Sequence, residues 1–220
     1  MEILKRKLSQ LNGNSEPGEI RLVFREIAKD LFKNYHILKG TQKYFFVNIE
    51  FYFCNKKHLD MITYPRRLDE GKWFFHQSGV DLTFRSVYSD YGKKMVDVDK
   101  DFYFGGILVR EVMKADSDEV FDGPYKCEWE LFDKFDAFTP TVNEIPIIVR
   151  NAKEIPLEPM TTVRKFSYTK EKLQKKYKEL TENVFFGNPI ITFDGFSKLI
   201  REELAYIIDK KKLKNLLEGQ

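Results

Sequence analysis

The segment FFVNIEFYFCNKKH, residues 45–58, is the feature that most restricts how this chain can fold. Successive side chains of a strand point to opposite faces of its sheet. Read as a strand, the segment has one wholly apolar face, made of Phe45, Val47, Ile49, Phe51 and Phe53. The other face carries Phe46, Asn48, Glu50, Tyr52 and Cys54. A carboxylate among rings marks either a solvated sheet edge or the start of a site, and both interpretations of Glu50 are open at this point.

Apolar residues at helical spacing predict an amphipathic helix before this strand. They are Ile20, Val23, Phe24, Ile27, Leu31 and Phe32, and the helix is expected to end by Tyr35. Extended segments are predicted for residues 37–53, with a turn at Gly40 and Thr41, and for residues 73–76, 79–84 and 104–112. Gly105 and Gly106 in the last segment indicate a turn or a close backbone approach. Helices at both ends around a cluster of short strands predict an α+β fold.

Residues 151–220 are predicted to form a helical extension packed on an α+β core of residues 1–150. Helical spacing runs through Phe196, Leu199, Ile200, Leu204, Ile207 and Ile208, and Asp194 or Ser197 is expected to cap this helix. A basic run from Arg164 to Lys178 precedes it. Such a run is more often a solvated helix face than a track for phosphates.

Composition narrows the class of protein. The net charge of +3 is below what a nucleic-acid binder driven by electrostatics carries, although a local patch can still make that contact. Cys54 and Cys127 lie far apart, which excludes structural zinc and iron–sulfur sites and predicts two buried thiols in a reducing compartment. No apolar run reaches the length of a signal peptide or a membrane span, so we expect no membrane partner and a cytoplasmic location.

The sequence contains no motif for a phosphate loop, a dinucleotide-binding turn, a zinc-binding helix or a nucleophile elbow. A constellation of polar and aromatic side chains remains as the candidate site: Glu50, Tyr52, His58, Phe75, His76 and Arg110. A carboxylate backed by aromatic walls can position a water as a general base, while the rings stack on a planar ligand such as a nucleobase.

Each of these residues also has an ordinary structural interpretation. Glu50 alone is more often a surface carboxylate, and Tyr52 and Phe75 are more often core rings. His58 reads as an exposed loop residue and His76 as a partly buried one. Arg110 lies in an apolar strand and must find a partner, which a structural ion pair with Glu50 or Glu111 would supply.

The order of these segments resembles the alkyladenine (3-methyladenine) DNA glycosylase family over about residues 20–112. The matching pieces are the helix, ILKG, FFVNIEFY, His58, TYPRR, GKWFF and GGILVRE. Members of that family carry a V-E-T-E-A-Y strand, a downstream histidine, a T-P-R segment, an aromatic strand and a V-L-L-R strand. The resemblance implies a curved, mostly antiparallel sheet with flanking helices.

The same resemblance implies a chemistry. Glu50 falls on the glutamate that activates water for attack on the glycosidic carbon, and Arg110 falls on the arginine of the V-L-L-R strand. Tyr52, His58 and Phe75 fall on residues that hold a flipped base, and His76 adjoins them. The implied function is hydrolysis of an N-glycosidic bond in DNA repair, with a nucleic acid or nucleobase-containing ligand and with neither metal nor organic cofactor.

Two departures bear on the substrate. Asn48 replaces the first glutamate of the family strand, and the ring that wedges the duplex open would align near Ser78 and Gly79. A serine cannot prop a duplex open as a ring does, so a single strand or a free nucleoside suits this chain better than a duplex. A non-catalytic ligand- or nucleic-acid-binding domain that retains the fold is the alternative, and a hydrolase of small molecules is a third possibility. The oligomeric state is not predicted.

Overall fold

The computed structural model describes residues 2–88, 96–97, 101–117, 119–133, 145–166, 169–186 and 191–218. The helices are α1 Glu2–Leu8, α2 Pro17–Asn34, α3 Pro124–Phe132, α4 Lys170–Asn183, α5 Phe193–Ile200 and α6 Lys210–Glu218. The strands are β1 Tyr35–Lys39, β2 Gln42–Asn55, β3 His58–Leu59, β4 Trp73–His76, β5 Gly79–Thr83, β6 Val96–Asp97, β7 Tyr103–Lys114, β8 Val120–Asp122, β9 Ile147–Arg150, β10 Met160–Thr162, β11 Phe185–Phe186 and β12 Ala205–Ile207. The predicted α+β class is confirmed.

A curled antiparallel sheet is built around β2, the aromatic strand of the opening segment. Its main path runs in the order β10-β12-β2-β7-β5-β4. The longest pairing joins β2 to β7 from Tyr44 opposite Lys114 to Asn55 opposite Tyr103, with irregular register around Asn48. β1, β3, β8 and β9 extend this sheet beyond the main path, and β6 pairs with β11 in a separate parallel pair. A strand of 14 residues at the centre of the sheet therefore fixes the position of the elements on either side.

Both faces of β2 are buried, although only one of them is apolar. The apolar face packs against α2, where the rings of Phe51 and Phe24 stack with centroids 4.6 Å apart. On the opposite face Glu50 is only 1% exposed. The interpretation of Glu50 as a solvated carboxylate at a sheet edge is therefore wrong, because β7 and β12 flank β2 at this point.

The C-terminal segment differs from the single long helix that its apolar spacing predicts. α5 ends at Ile200, and Ala205–Ile207 form β12, which pairs with β2 opposite Glu50. The Phe51 N–H donates to the Leu204 carbonyl at 2.8 Å. The segment around β12 therefore pairs with the side of β2 that β7 leaves free and satisfies its backbone hydrogen bonds. The cap is also different, because Thr192 Oγ1, and not Asp194 or Ser197, accepts the hydrogen bond at the start of α5. Residues after 150 therefore contribute two strands to the main sheet as well as helices.

The glycine pair of β7 lies inside the strand, where the backbone must approach its neighbours closely. A Cβ on Gly105 would lie 2.3 Å from the Tyr52 carbonyl oxygen, and one on Gly106 would lie 2.7 Å from Arg66 Nη1. These distances are shorter than a carbon atom allows. The prediction of a close backbone approach at this pair is confirmed, and that of a turn is wrong.

We expect Gly105→Ala to destabilise the fold, because the added methyl group must displace backbone of β2 as well as the side chain of Phe53. The loss should be about 2 kcal/mol or more, at the upper part of the range for overpacked cores. Urea unfolding of the purified variant measures it.

The matched control is Gly18→Ala in the first turn of α2, where an added Cβ meets nothing within 4 Å. Alanine is a better helix former than glycine by up to about 1 kcal/mol, so this variant should be as stable as the parent or more stable. Equal stability of the two alanine variants would contradict the close approach at Gly105.

Candidate functional site

A cavity of about 460 Å³ opens on the polar face of β2. Its walls come from β2, the segment after β3, the β4–β5 hairpin, β7, the start of α3, the segment that follows β10, and α4. Its volume lies within the range of small-molecule sites, which is about 300–1,000 Å³. The alternation of β2 explains its position, because Glu50 and Tyr52 point away from α2 and into this space.

Glu50 is held in the cavity wall by three groups. Its Oε2 accepts a hydrogen bond from the Tyr52 hydroxyl at 2.7 Å, and its Oε1 accepts one from the Lys165 backbone N–H at 2.9 Å. Arg110 Nε lies 3.4 Å from Oε1, a charge contact rather than a directed hydrogen bond. A carboxylate has about four acceptor positions, so both oxygens keep capacity for a further donor such as a water.

Tyr52 is kept as a hydrogen-bond donor by its surroundings. Burial raises the pKa of Tyr52 well above its usual value, and the neighbouring charge of Glu50 raises that pKa further. The guanidinium of Arg164 lies over the Tyr52 ring, 4.8 Å from its centroid. Arg164 is itself buried and donates to Asp60 Oδ2 at 2.6 Å, which compensates its charge. The Tyr52 ring is thus held on one face by the Arg164 guanidinium, whose charge is paired with Asp60.

The far wall of the cavity is built on a second buried ion pair. Arg66 Nη2 donates to Asp81 Oδ2 at 2.7 Å, and its guanidinium covers the Phe74 ring at 3.9 Å. His76 Nε2 lies 3.0 Å from Asp81 Oδ1. Burial by itself would raise the pKa of Asp81, but Arg66 and His76 outweigh it and hold that pKa below its usual value. Asp81 is therefore the anion that keeps this wall together.

His76 lines the cavity as part of a stacked pair of rings. Its ring stacks on the Tyr64 ring, with centroids 4.4 Å apart and planes inclined by 26°. Its Nδ1 accepts a hydrogen bond from the Ser78 N–H at 3.1 Å, and its Nε2 faces Asp81. The orientation of the ring is thus set from both nitrogens.

Four of the six candidate residues from the sequence meet at this cavity: Glu50, Tyr52, His76 and Arg110. Phe75 points to the other face of β4, as strand alternation requires, and packs edge-on against Phe132 at 4.8 Å. His58 is buried in β3 rather than exposed in a loop, and that burial lowers the pKa of His58. Neither Phe75 nor His58 is among the described residues that line the cavity. The base-holding role that the resemblance implies for them therefore stays a prediction, and this cavity does not support it.

The sequence did not place Arg66, Tyr64 or Lys165 among the candidate site residues, whereas the family resemblance also puts Asp81 near a pocket asparagine of the family. Arg66 and Tyr64 belong to the TYPRR stretch, and Asp81 interrupts an apolar strand, which was the available signal for a buried ion pair. Lys165 lies at the start of the basic run and reaches Glu50 through its backbone. No pattern in the sequence indicates that contact, because it joins residues 115 positions apart. Positions 167 and 168 of the run lie outside the described residues.

The lining carries more positive than negative charge. Arg66, Arg110, Lys165 and Lys176 face two carboxylates within the lining, a formal excess of two positive charges. Lys165 and Lys176 also pair with Asp122 and Glu179 outside the lining, at 3.7 and 3.1 Å.

Among the residues that the structure describes, no group of three or more histidine, cysteine or acidic side chains is placed to hold a metal ion. In the same part of the chain, no helix is long and apolar enough to cross a membrane.

No family model matches this chain, and no solved structure matches it. An uncharacterized protein of Acanthamoeba polyphaga mimivirus is similar to it, with 27% identity over 126 residues. The match covers 51% of this chain and 58% of the mimivirus protein. The name of that protein states no activity, so the geometry of the cavity is what a functional proposal has to rest on.

We expect Asp81→Asn to destabilise the protein by about 3–5 kcal/mol at neutral pH, because Arg66 would stay buried without its counter-charge. The pKa of Asp81 is lower in the folded chain than in the unfolded one. Its contribution is therefore complete above about pH 4 and is lost as the pH falls through the folded value. The difference between the parent protein and the variant should shrink accordingly in acid, as urea unfolding at a series of pH values would show.

The matched control is Asp69→Asn, a change at an exposed aspartate in the loop before β4. It should change the free energy of unfolding by less than about 0.5 kcal/mol at any of these pH values. A loss in Asp81→Asn that does not depend on pH would contradict an ionised Asp81.

Proposed function

We propose that the cavity binds a nucleobase-containing ligand and that Glu50 directs a water to hydrolyse its N-glycosidic bond. The observation that carries this proposal is the placement of Glu50: a carboxylate 1% exposed, at the wall of a cavity, with acceptor capacity left on both oxygens. General-base catalysis requires such a group within hydrogen-bond reach of the attacking water.

The reaction divides between the two ends of the cavity. At Glu50, a water attacks the glycosidic carbon and gives its proton to the carboxylate. The bond to the base nitrogen breaks, and its electron pair leaves with the base. The sugar carbon is positively charged in such transition states, which the negative charge of Glu50 stabilises. The leaving base gains negative charge, which the positively charged side chains of the lining would stabilise.

Tyr52 and Arg110 are the residues that would tune Glu50. The hydroxyl of Tyr52 fixes one oxygen of the carboxylate, and Arg110 lies beside the other. Both contacts hold the carboxylate at the cavity wall, within reach of a water that could give it a proton.

The stacked pair of His76 and Tyr64 supplies a flat wall for the base. Base–aromatic stacking is worth about 1–3 kcal/mol per base, and extrusion of a damaged or unpaired base from a strand costs a few kcal/mol. Stacking against this pair would therefore offset part of the extrusion cost. Removal of a damaged base in this way is the first step of base-excision repair, the setting that the family resemblance implies.

A non-catalytic binding domain is the second candidate, and one observation favours it. Both oxygens of Glu50 already accept a hydrogen bond from the protein, one from Tyr52 and one from Lys165. A carboxylate that is satisfied in this way can serve as a structural clamp between β2 and the segment after β10. The two candidates differ in what the loss of the Glu50 charge does to turnover.

We expect Glu50→Gln to lower the release of an alkylated adenine from a single-stranded oligonucleotide by at least about a hundredfold, within the range for a general base. The amide keeps the shape of the side chain but cannot take a proton from water. Binding of the same oligonucleotide should change by less than about threefold. Chromatography of the released base measures turnover, and fluorescence anisotropy measures binding.

Glu111→Gln is the matched control, because Glu111 is also a buried glutamate and its carboxylate pairs with Lys210 rather than facing the cavity. Its turnover should equal that of the parent protein. If the parent protein binds the oligonucleotide and releases no base, the hydrolase proposal fails and the binding domain stands. If Glu50→Gln releases the nucleobase at the parent rate, Glu50 is not the general base.

A further inference from the structure

Arg164 is buried, although it opens the basic run of residues 164–178. It is 3% exposed, and its Nη1 lies 2.6 Å from Oδ2 of Asp60. Two further hydrogen bonds reach backbone carbonyls, from Nη1 to Phe51 at 3.4 Å and from Nη2 to Leu199 at 3.2 Å. One guanidinium therefore joins β2, the segment after β3 and the end of α5. Arg164 is not among the described residues that line the cavity of the candidate site.

Arg164 holds the first of the two hydrogen-bond donors to Glu50. Its guanidinium lies over the Tyr52 ring, 4.8 Å from the ring centroid, which is within the range of a cation–π contact. The Phe51 carbonyl that it binds belongs to the peptide that leads into Tyr52. The hydroxyl of Tyr52 donates to Glu50 Oε2 at 2.7 Å. One side chain thus holds both the ring and the backbone of this donor.

The second donor belongs to the peptide bond that joins Arg164 to Lys165. Its N–H donates to Glu50 Oε1 at 2.9 Å, and its carbonyl accepts the Phe166 N–H at 3.0 Å. A peptide bond is planar, so the direction of this N–H follows from the carbonyl contact and from the anchored Arg164. The Arg164 guanidinium also lies 5.5 Å from the Phe166 ring, which packs the turn against the same cation.

We infer that Arg164 is a positioning residue for Glu50: it aims the Tyr52 hydroxyl and the Lys165 N–H at the two oxygens of the carboxylate. This inference rests on the proposed function, because it assigns a further residue to the same reaction. A carboxylate that has lost its two donors no longer faces the attacking water in a fixed orientation. A residue that only stabilised the fold would lower the free energy of unfolding and leave the turnover of the folded protein unchanged.

Arg164→Lys tests this role in a protein that keeps its buried counter-charge. Lysine can pair with Asp60, but an ammonium cannot at the same time bind two carbonyls and cover a ring, as the planar guanidinium does. In the assay of alkylated adenine release, kcat should fall by about a hundredfold, the effect of a misplacement of about 1 Å, while KM stays within about threefold of the parent value.

A double variant removes the guanidinium without leaving a buried charge unpaired. Replacement of a buried ion pair by apolar residues of similar size is often neutral for stability. Arg164→Met combined with Asp60→Leu should therefore unfold in urea near the parent midpoint. Its kcat should still fall as far as that of Arg164→Lys, because neither Tyr52 nor the Lys165 peptide is held in place.

Tyr44→Phe is the matched control for a loss of stability alone. Tyr44 is buried in the same strand as Tyr52, and its hydroxyl donates to Glu130 Oε1 at 2.6 Å, apart from the described cavity lining. The variant should be less stable in urea, because a buried hydrogen bond is lost. Its kcat should equal that of the parent protein.

Proton NMR observes the hydrogen bond between Tyr52 and Glu50 without any need for turnover. A buried hydroxyl that donates to a carboxylate exchanges slowly with water and gives a downfield signal, because such charge-assisted bonds are short and strong. Tyr52→Phe removes this signal and so assigns it. The signal should move or disappear in Arg164→Lys and in the double variant, and it should stay in place in Tyr44→Phe.

Three results would overturn the positioning role. The first is a Tyr52 hydroxyl signal in Arg164→Lys at its position in the parent protein. The second is a kcat in the double variant equal to that of the parent. The third is an equal fall in kcat in Tyr44→Phe and Arg164→Lys, since lost stability would then account for both.

The same preparations separate this inference from the proposed function. A parent protein that releases no base refutes the proposed function, and the Tyr52 signal in Arg164→Lys then decides the positioning role by itself. Turnover that is lost in Glu50→Gln and kept at the parent rate in Arg164→Lys supports the proposed function and refutes the positioning role.

Discussion

The burial of a carboxylate in the central strand is the constraint on which the cavity depends. Glu50 stands in β2 between β7 and β12, and an uncompensated charge at such a place would cost several kcal/mol. Tyr52, the Lys165 backbone and Arg110 provide the compensation. These contacts join β2, β7 and the segment after β10 at one side chain. The contacts that compensate the buried charge of Glu50 therefore also hold the walls of the cavity together.

Two buried arginines repeat one arrangement on opposite sides of this cavity. Arg164 pairs with Asp60 and covers the ring of Tyr52, whereas Arg66 pairs with Asp81 and covers the ring of Phe74. A guanidinium suits this role because it is planar, stays charged and can bind a carboxylate while it stacks on a ring. Buried ion pairs add little to stability relative to apolar packing, but they fix the direction of the groups they hold. In this protein those groups are the rings and the carboxylate at the cavity wall.

The functional proposals draw on different properties of the same region. Catalysis would depend on one carboxylate and its donors, and base binding on the stacked His76 and Tyr64. A pocket can keep its shape after its reaction is lost, so the binding proposal does not depend on the catalytic one. The similar protein of Acanthamoeba polyphaga mimivirus matches part of this chain, and its name states no reaction.

The sequence alone determined the α+β class, the helix before the central strand and the two faces of that strand. These follow from local periodicity, because Phe51 and its alternating neighbours must be buried on one side whatever else surrounds them. Alternation also determined that Glu50 and Tyr52 share a face. The tertiary structure decided whether that face meets water, since its burial depends on β7, β12 and the backbone of Lys165. It also decided that Ala205–Ile207 form a strand, because pairing with β2 outweighs an apolar spacing that suits a helix equally well. The exclusion of His58 and Phe75 from the cavity and the inclusion of Arg66, Asp81 and Lys165 were decided in the same way: contacts between residues far apart in the chain leave no periodic signal in the sequence.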